Sequence, residues 1–146
     1  MWAVVTQNID GLHQAAGSKN VLELHGSNWR QYCVKCRVKY DLEYILAQEG
    51  VPKCAACGGT VRPDIVLYGE QLDDSVVSAA VNAIAGAELL IVGGTSLAVY
   101  PAAGLLRYFN GEHLVLINKS ETPYDSQADL VIRDSIGEVL GAAARL

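Results

Sequence analysis

A chain of 146 residues, 51% hydrophobic and 18% charged, reads as one compact domain rather than a disordered tail, because at this length roughly 70% of the unfolded surface can be buried. Sixteen acidic against eleven basic residues give a formal net charge of -5. With no block of like charge, this argues against nucleic acid or an anionic membrane as the main partner and leaves a basic protein substrate welcome. No apolar run approaches the roughly 18 to 20 residues of a membrane span, and Met1-Trp2-Ala3-Val4-Val5 has neither a basic n-region nor a cleavage site, so the expected compartment is the cytoplasm.

Trp2–Thr6 reads as a first strand, and Thr6-Gln7-Asn8-Ile9-Asp10-Gly11 leaves it for a helical turn. From Tyr32 to Gly59 cysteines, lysines and turn residues dominate, with one short helix expected over Asp41–Gln48. Asp73–Ala85 carries Val76, Val77, Ala80, Val81 and Ile84 on one helical face, with Asp73 or Asp74 to cap it and Gly86 to stop it. Glu88–Gly93 and His113–Asn118 read as further strands and Asp129–Ile132 as a shorter one; none of the longer runs alternates strictly, as befits strands covered on both faces. Pro101, followed by Ala102, Ala103, Leu105, Leu106 and Phe109, predicts a helix. Ser135, three residues ahead of Glu138, predicts another that opens on a capping box. Strands alternating with helices imply an α/β fold with a largely parallel sheet. The expected division is residues 1–31 with 60–146 as the α/β layer and 32–59 as an inserted module, with a cleft at the junction.

Cys33-x2-Cys36, seventeen residues and Cys54-x2-Cys57 match a four-thiolate zinc site, each pair forming a knuckle around one tetrahedral ion. Gly58-Gly59 permits the positive φ angles such a knuckle needs. Four protein thiolates leave no position for water, so the metal's expected role is structural.

Gln7, Asn8 and Asp10 stand at the carboxyl end of a strand, where open α/β sheets bind ligands. They admit two readings: polar groups that recognise a ribose and an amide, or residues that shape the turn and cap the helix. Gly93-Gly94-Thr95-Ser96 and Asn118 end two further strands, with groups able to meet a phosphate. No GxGxxG is present, which disfavours an ordinary dehydrogenase. His13 and His113 read as surface or packing residues. His25 lies immediately before the cysteine module and faces the expected cleft, where an imidazole suits general-base work, although a packing role is open.

Thr6-Gln7-Asn8-Ile9-Asp10-Gly11-Leu12-His13, Leu24-His25-Gly26, the two cysteine pairs, Arg62-Pro63-Asp64-Ile65-Val66-Leu67-Tyr68-Gly69-Glu70 and Gly94-Thr95-Ser96-Leu97 together resemble the sirtuins, NAD-dependent protein lysine deacylases. The resemblance runs in family order through nearly the whole chain. It implies a Rossmann-like domain with a zinc ribbon, NAD as cofactor, and an acylated-lysine protein or peptide as partner. In the family's reaction the acyl oxygen attacks the nicotinamide ribose, nicotinamide leaves, and a histidine, here His25, deprotonates a ribose hydroxyl. Deacylated lysine and O-acyl-ADP-ribose result.

By the same carry-over Asn8 and Asp10 join His25 in the chemistry, and Gln7, Asn8, Ile9 and Asp10 hold the nicotinamide ribose and carboxamide. Gly94, Thr95, Ser96, Asn118, Lys119 and Ile136 hold the phosphate and adenosine side. Peptide backbone is expected to add as a strand between Val66–Glu70 (Val66, Leu67, Tyr68, Gly69, Glu70) and Ser96–Val99, with Leu97 and Val99 taking part. Tyr68 stands where the family usually has Phe. The family's first strand and its Gly-Ala-Gly-Ile-Ser loop have no counterpart ahead of Met1. The Rossmann-like sheet is therefore expected to be incomplete, this chain alone to bind NAD poorly, and a missing N-terminal segment or complementing chain to be needed. A non-catalytic zinc-binding module and an ADP-ribosyltransferase are the alternative readings.

Overall fold

A computed structural model describes residues 3–145, which fall into two compact units divided between Val77 and Ser78. Trp2, at the start of the expected first strand, lies outside the described residues.

In the first unit β1 (Val4–Thr6) pairs in parallel with β2 (Val21–Glu23), Val4 opposite Val21 and Thr6 opposite Glu23. The helical turn expected between them is α1 (Leu12–Ala15). The chain then enters an antiparallel sheet in which β3 (Gly26–Cys33) lies between β4 (Lys39–Asp41) and β5 (Val61–Ile65). These strands carry no period-two pattern: β3 reads Gly-Ser-Asn-Trp-Arg-Gln-Tyr-Cys, and its pairing with β5 shifts register between Ser27 and Gln31. Backbone hydrogen bonds and the cysteine cluster define this sheet more than an apolar face does. Cys33, Cys54 and Val61 form its core, with Tyr40, Tyr44 and Ile45 packed against it. The short helix of the module, α2 (Leu42–Leu46), begins one residue later and ends two earlier than 41–48 because Asp41 is its N-cap, the carboxylate accepting the Tyr44 N–H at 2.9 Å. From β3, Arg30 reaches Glu23 at 2.7 Å and Asp64 at 3.2 Å, tying the ends of β2 and β5 together.

The division between the units falls within α3 (Asp74–Ala85). Asp73 caps this helix, its Oδ1 accepting the N–H groups of Ser75 at 2.8 Å and Val76 at 3.3 Å. The Ser75 hydroxyl and these N–H groups lower the Asp73 pKa, favouring the charged form at the positive end of the helix. In the second unit β6 (Leu89–Gly93), β7 (His113–Ile117) and β8 (Leu130–Ile132) form a parallel sheet in that order. Central β7 supplies the largest fully buried side chains, Leu116 and Ile117. Leu97, Leu114 and Leu116 form the core there, with Leu106, Phe109 and Val131 around them. On β6, by contrast, Leu89 and Ile91 are partly exposed.

Two predicted helices differ in detail. The segment after Pro101 is a 3-10 helix, Ala102–Tyr108. Gly104 within it lowers the helix propensity of the segment, and its N–H bonds to the Pro101 carbonyl three residues back, the 3-10 pattern. At α4 (Ile136–Ala143) Ser135 is the N-cap, but its side chain makes no capping bond. A capping box also needs the Glu138 carboxylate on the Ser135 N–H, and that N–H already donates to Asp134 Oδ1 at 2.7 Å. Among the described residues no helix is long and apolar enough to cross a membrane.

Leu116→Ala empties a site with 1% exposure at the centre of the parallel sheet and is expected to lower unfolding stability by about 3 kcal/mol. Urea denaturation measures this; a loss under about 1 kcal/mol would show that β7 is not the core strand of its unit.

Candidate functional site

His25 follows β2 and precedes β3, and the backbone secures it from several sides. Leu24 donates its N–H to the Thr6 carbonyl at 2.9 Å, Val66 donates to the His25 carbonyl at 3.0 Å, and His25 Nδ1 lies 3.1 Å from the Gln7 carbonyl oxygen. A carbonyl can only accept, so Nδ1 must carry the proton. In the neutral ring this leaves the Nε2 lone pair to take a proton from elsewhere. Gly26 makes the turn possible: its φ is +74°, and a Cβ there would run into the Asp64 carbonyl.

The turn after β1 is equally ordered. Asn8 donates its N–H to Thr6 Oγ1 at 3.1 Å, and Asn28 donates its N–H to the Ile9 carbonyl at 2.9 Å. The Trp29 indole N–H donates to the Asp10 carbonyl at 2.8 Å. Asp10 does carry out the turn-shaping role, its Oδ1 accepting the Leu12 N–H at 3.0 Å. It also faces a ligand-sized space: Gln7, Asn8, Ile9, Asp10, His25 and Val66 line one open depression of about 380 Å³. The polar edge of the β1–β2 pair and the imidazole therefore meet within one unit.

In the second unit the carboxyl ends of β6 and β7 border a depression of about 250 Å³ lined by Gly94, Ile117, Asn118, Lys119, Ser120, Asp134, Ser135 and Ile136. Gly93 lets Ile136 lie against the end of β6, since a Cβ there would collide with Ile136 Cδ1. Four sequence-derived residues, Gly94, Asn118, Lys119 and Ile136, meet here. Thr95 and Ser96 do not line the depression; their hydroxyls accept the N–H groups of Leu97 at 3.2 Å and Ala98 at 3.4 Å and shape the turn. Ser120, Asp134 and Ser135 are lining residues that sequence reasoning missed; their place directly after β7 and β8 is the signal that could have found them.

Of the expected peptide-contact residues, Val66 borders the first depression, while Leu67 and Tyr68 are exposed. Glu70 is paired with Arg62, whose guanidinium, together with the Leu67 N–H, holds its carboxyl down to about 2. Leu97 has its side chain in the core of the second unit, while Val99 is exposed.

The Sγ atoms of Cys33, Cys36, Cys54 and Cys57 lie within 4.8 Å of one another, with Cys33–Cys57 and Cys36–Cys54 each at 3.5 Å. A tetrahedral ion about 2.3 Å from each sulfur would space them by about 3.8 Å, so the four thiols fit one zinc. They are too far apart for disulfides, which need about 2.05 Å. Backbone N–H groups of Cys36 and Lys35 lower the Cys33 pKa, and the Tyr40 hydroxyl, 3.0 Å from Cys54 Sγ, lowers that of Cys54, so both favour the thiolate a metal needs.

These features define a class, the α/β proteins whose ligands gather at strand ends and whose closed thiolate site serves the fold. A family model described as the Sir2 family matches residues 1–101. The NAD-dependent protein deacetylases of Clostridium perfringens and Clostridium acetobutylicum are each 66% identical to this chain, over 95% and 94% of it respectively. The chain spans 57% of the length of each of these relatives. A crystal structure of a Sir2 with the inhibitor EX-527, 2'-O-acetyl-ADP-ribose and deacetylated p53 peptide is 42% identical, with TM-score 0.90 over 99% of this chain and 64% of that one. The chain belongs to the Sir2 family.

Elemental analysis of protein purified without added metal is expected to find one zinc per chain, and strong chelation to abolish the ribbon's circular-dichroism signal. Four freely titrating thiols and an unchanged spectrum would contradict the assignment.

Proposed function

We propose that the protein containing this chain removes acyl groups, acetyl foremost, from protein lysine at the expense of NAD, releasing nicotinamide and O-acyl-ADP-ribose. The observation that carries the reading is the His25 ring, whose Nδ1–H is committed to the Gln7 carbonyl beside the depression formed by Gln7–Asp10 and Val66. When bound, NAD supplies a glycosidic bond from ribose to nicotinamide, and that ribose carries the acyl group away.

In this reading His25 Nε2 takes the proton of a ribose hydroxyl as general base, and the Gln7 carbonyl steadies the ring as it becomes cationic. Asn8 and the free oxygen of Asp10 orient the ribose and carboxamide, while Gln7 and Ile9 complete that wall. Gly94, Asn118, Lys119 and Ile136, with the Thr95–Ser96 turn, take the phosphate and adenosine end, and the Lys119 ammonium offsets phosphate charge. Val66–Glu70 and Ser96–Val99 receive the peptide backbone, Leu97 through its main chain because its side chain is buried. The zinc holds the ribbon and takes no part in the chemistry. The same reading places the protein in the cytoplasm, a reducing compartment that keeps four close thiols available to metal.

His25→Ala is expected to lower NAD-dependent deacetylation of an acetyl-lysine peptide by about 10²- to 10⁴-fold while leaving the circular-dichroism spectrum intact. Peptide mass and nicotinamide release are the readouts. Turnover within tenfold of the unsubstituted protein would remove His25 from the mechanism.

A further inference from the structure

The segment Val66–Glu70 leaves β5 with little side-chain packing to define it: Leu67 is half exposed and Tyr68 is fully exposed. What holds it is polar. At one end the Val66 N–H bonds to the His25 carbonyl; at the other the chain turns back, Glu70 donating its N–H to the Leu67 carbonyl at 3.0 Å. Glu70 Oε2 accepts the Leu67 N–H at 2.9 Å, closing the turn from within. That carboxylate is fixed by Arg62 on β5, whose Nη1 donates to Oε1 at 2.5 Å and whose Nη2 donates to Oε2 at 3.0 Å and to the Ile65 carbonyl at 2.9 Å.

Arg62 is braced in turn. It lies opposite Tyr32 in the β3–β5 register, with its guanidinium 5.8 Å from the Tyr32 ring centre. The same ring carries the Arg37 guanidinium at 4.1 Å. Arg37 belongs to the first cysteine knuckle and donates its N–H to the Cys33 carbonyl. A chain of contacts thus runs from the thiolate cluster through Arg37, Tyr32, Arg62 and Glu70 to the Leu67 amide. The planar fork meets both carboxylate oxygens and a carbonyl in one fixed geometry, which an ammonium on a flexible stem does not impose.

We propose that Arg62 is a positioning residue that, through Glu70, sets the backbone of Val66–Glu70 and thereby the affinity for the acylated-lysine peptide rather than for NAD. This rests on the deacylase reading above and adds to it a residue that touches neither substrate. Glu70 stays ionised far below neutral pH because of Arg62, so the latch is closed throughout the working range.

The test compares Arg62→Lys and Glu70→Gln with the unsubstituted protein. Arg62→Lys is expected to raise the KM for an acetyl-lysine peptide about tenfold and to move the KM for NAD by less than about twofold. Without any ligand, both variants are expected to speed amide hydrogen exchange at Leu67, while exchange in β3 stays as it was. A charge-reversed pair, Arg62→Glu with Glu70→Arg, is not expected to rescue, since it supplies no acceptor for the Leu67 N–H. Unchanged Leu67 exchange, an unchanged peptide KM, equal rises in both KM values, or rescue by reversal would each overturn the latch. An unsubstituted protein that neither binds nor turns over the peptide, with the Leu67 effect still present, would instead overturn the deacylase reading and the peptide part of this proposal with it.

Discussion

A carbonyl oxygen has lone pairs and no proton, and the imidazole beside the Gln7 carbonyl must accommodate that. The contact from His25 Nδ1 selects one tautomer of two and leaves the other nitrogen basic. The chemistry proposed for the first depression depends on this asymmetry. The surrounding hydrogen bonds serve it: Leu24 to Thr6 and Val66 to His25 hold the residue's backbone, and Asn28 to Ile9 with Trp29 to Asp10 hold the turn that presents the Gln7 carbonyl. Such preorganisation means the ring need not search for its orientation when a ligand arrives.

The cysteine cluster contributes at a distance. A sheet whose central strand is as polar as β3 has little apolar area to bury, and four thiolates around one ion replace the missing core. The Cys33, Cys54 and Val61 core is small, and a metal held by the four thiols would take over part of its task. β3 also supplies Arg30, which ties the ends of β2 and β5 on either side of His25. The Arg30–Asp64 pair is half exposed and adds little stability, whereas the Glu23 side chain is buried and Arg30 supplies its partner. Structure, metal and reactivity are therefore linked through one strand that no hydrophobic pattern marks.

That strand also shows where sequence reading stops. β1, β6, β7, β8, α3 and α4 were legible because parallel strands and amphipathic helices leave apolar runs bounded by glycine or acidic caps, even where, as on β6, part of the run is exposed. β2, three residues long, and β3 to β5, whose sheet is held by backbone bonding around the cysteine cluster, left no such trace. The capping box at Ser135 was legible as a helix start and misleading as a hydrogen-bond pattern, because Asp134 competes for the same N–H. In the site, the cysteine spacing and the polar run Gln7–Asp10 could be read from residue types. Residue types could not reveal that Thr95 and Ser96 spend their hydroxyls on their own turn, or that Leu97 faces inward. Arg62 looked like one member of a motif, and only its partners give it a task.

Nitrogen-15 NMR of the imidazoles at a pH where His25 is neutral, with His25→Gln to assign the signals among His13, His25 and His113, observes the central feature itself. The expected result is a proton on Nδ1 and a bare Nε2, the less common tautomer in solution. A proton on Nε2 would mean that the Gln7 carbonyl does not orient the ring, and the assignment of His25 as a poised base would fall with it.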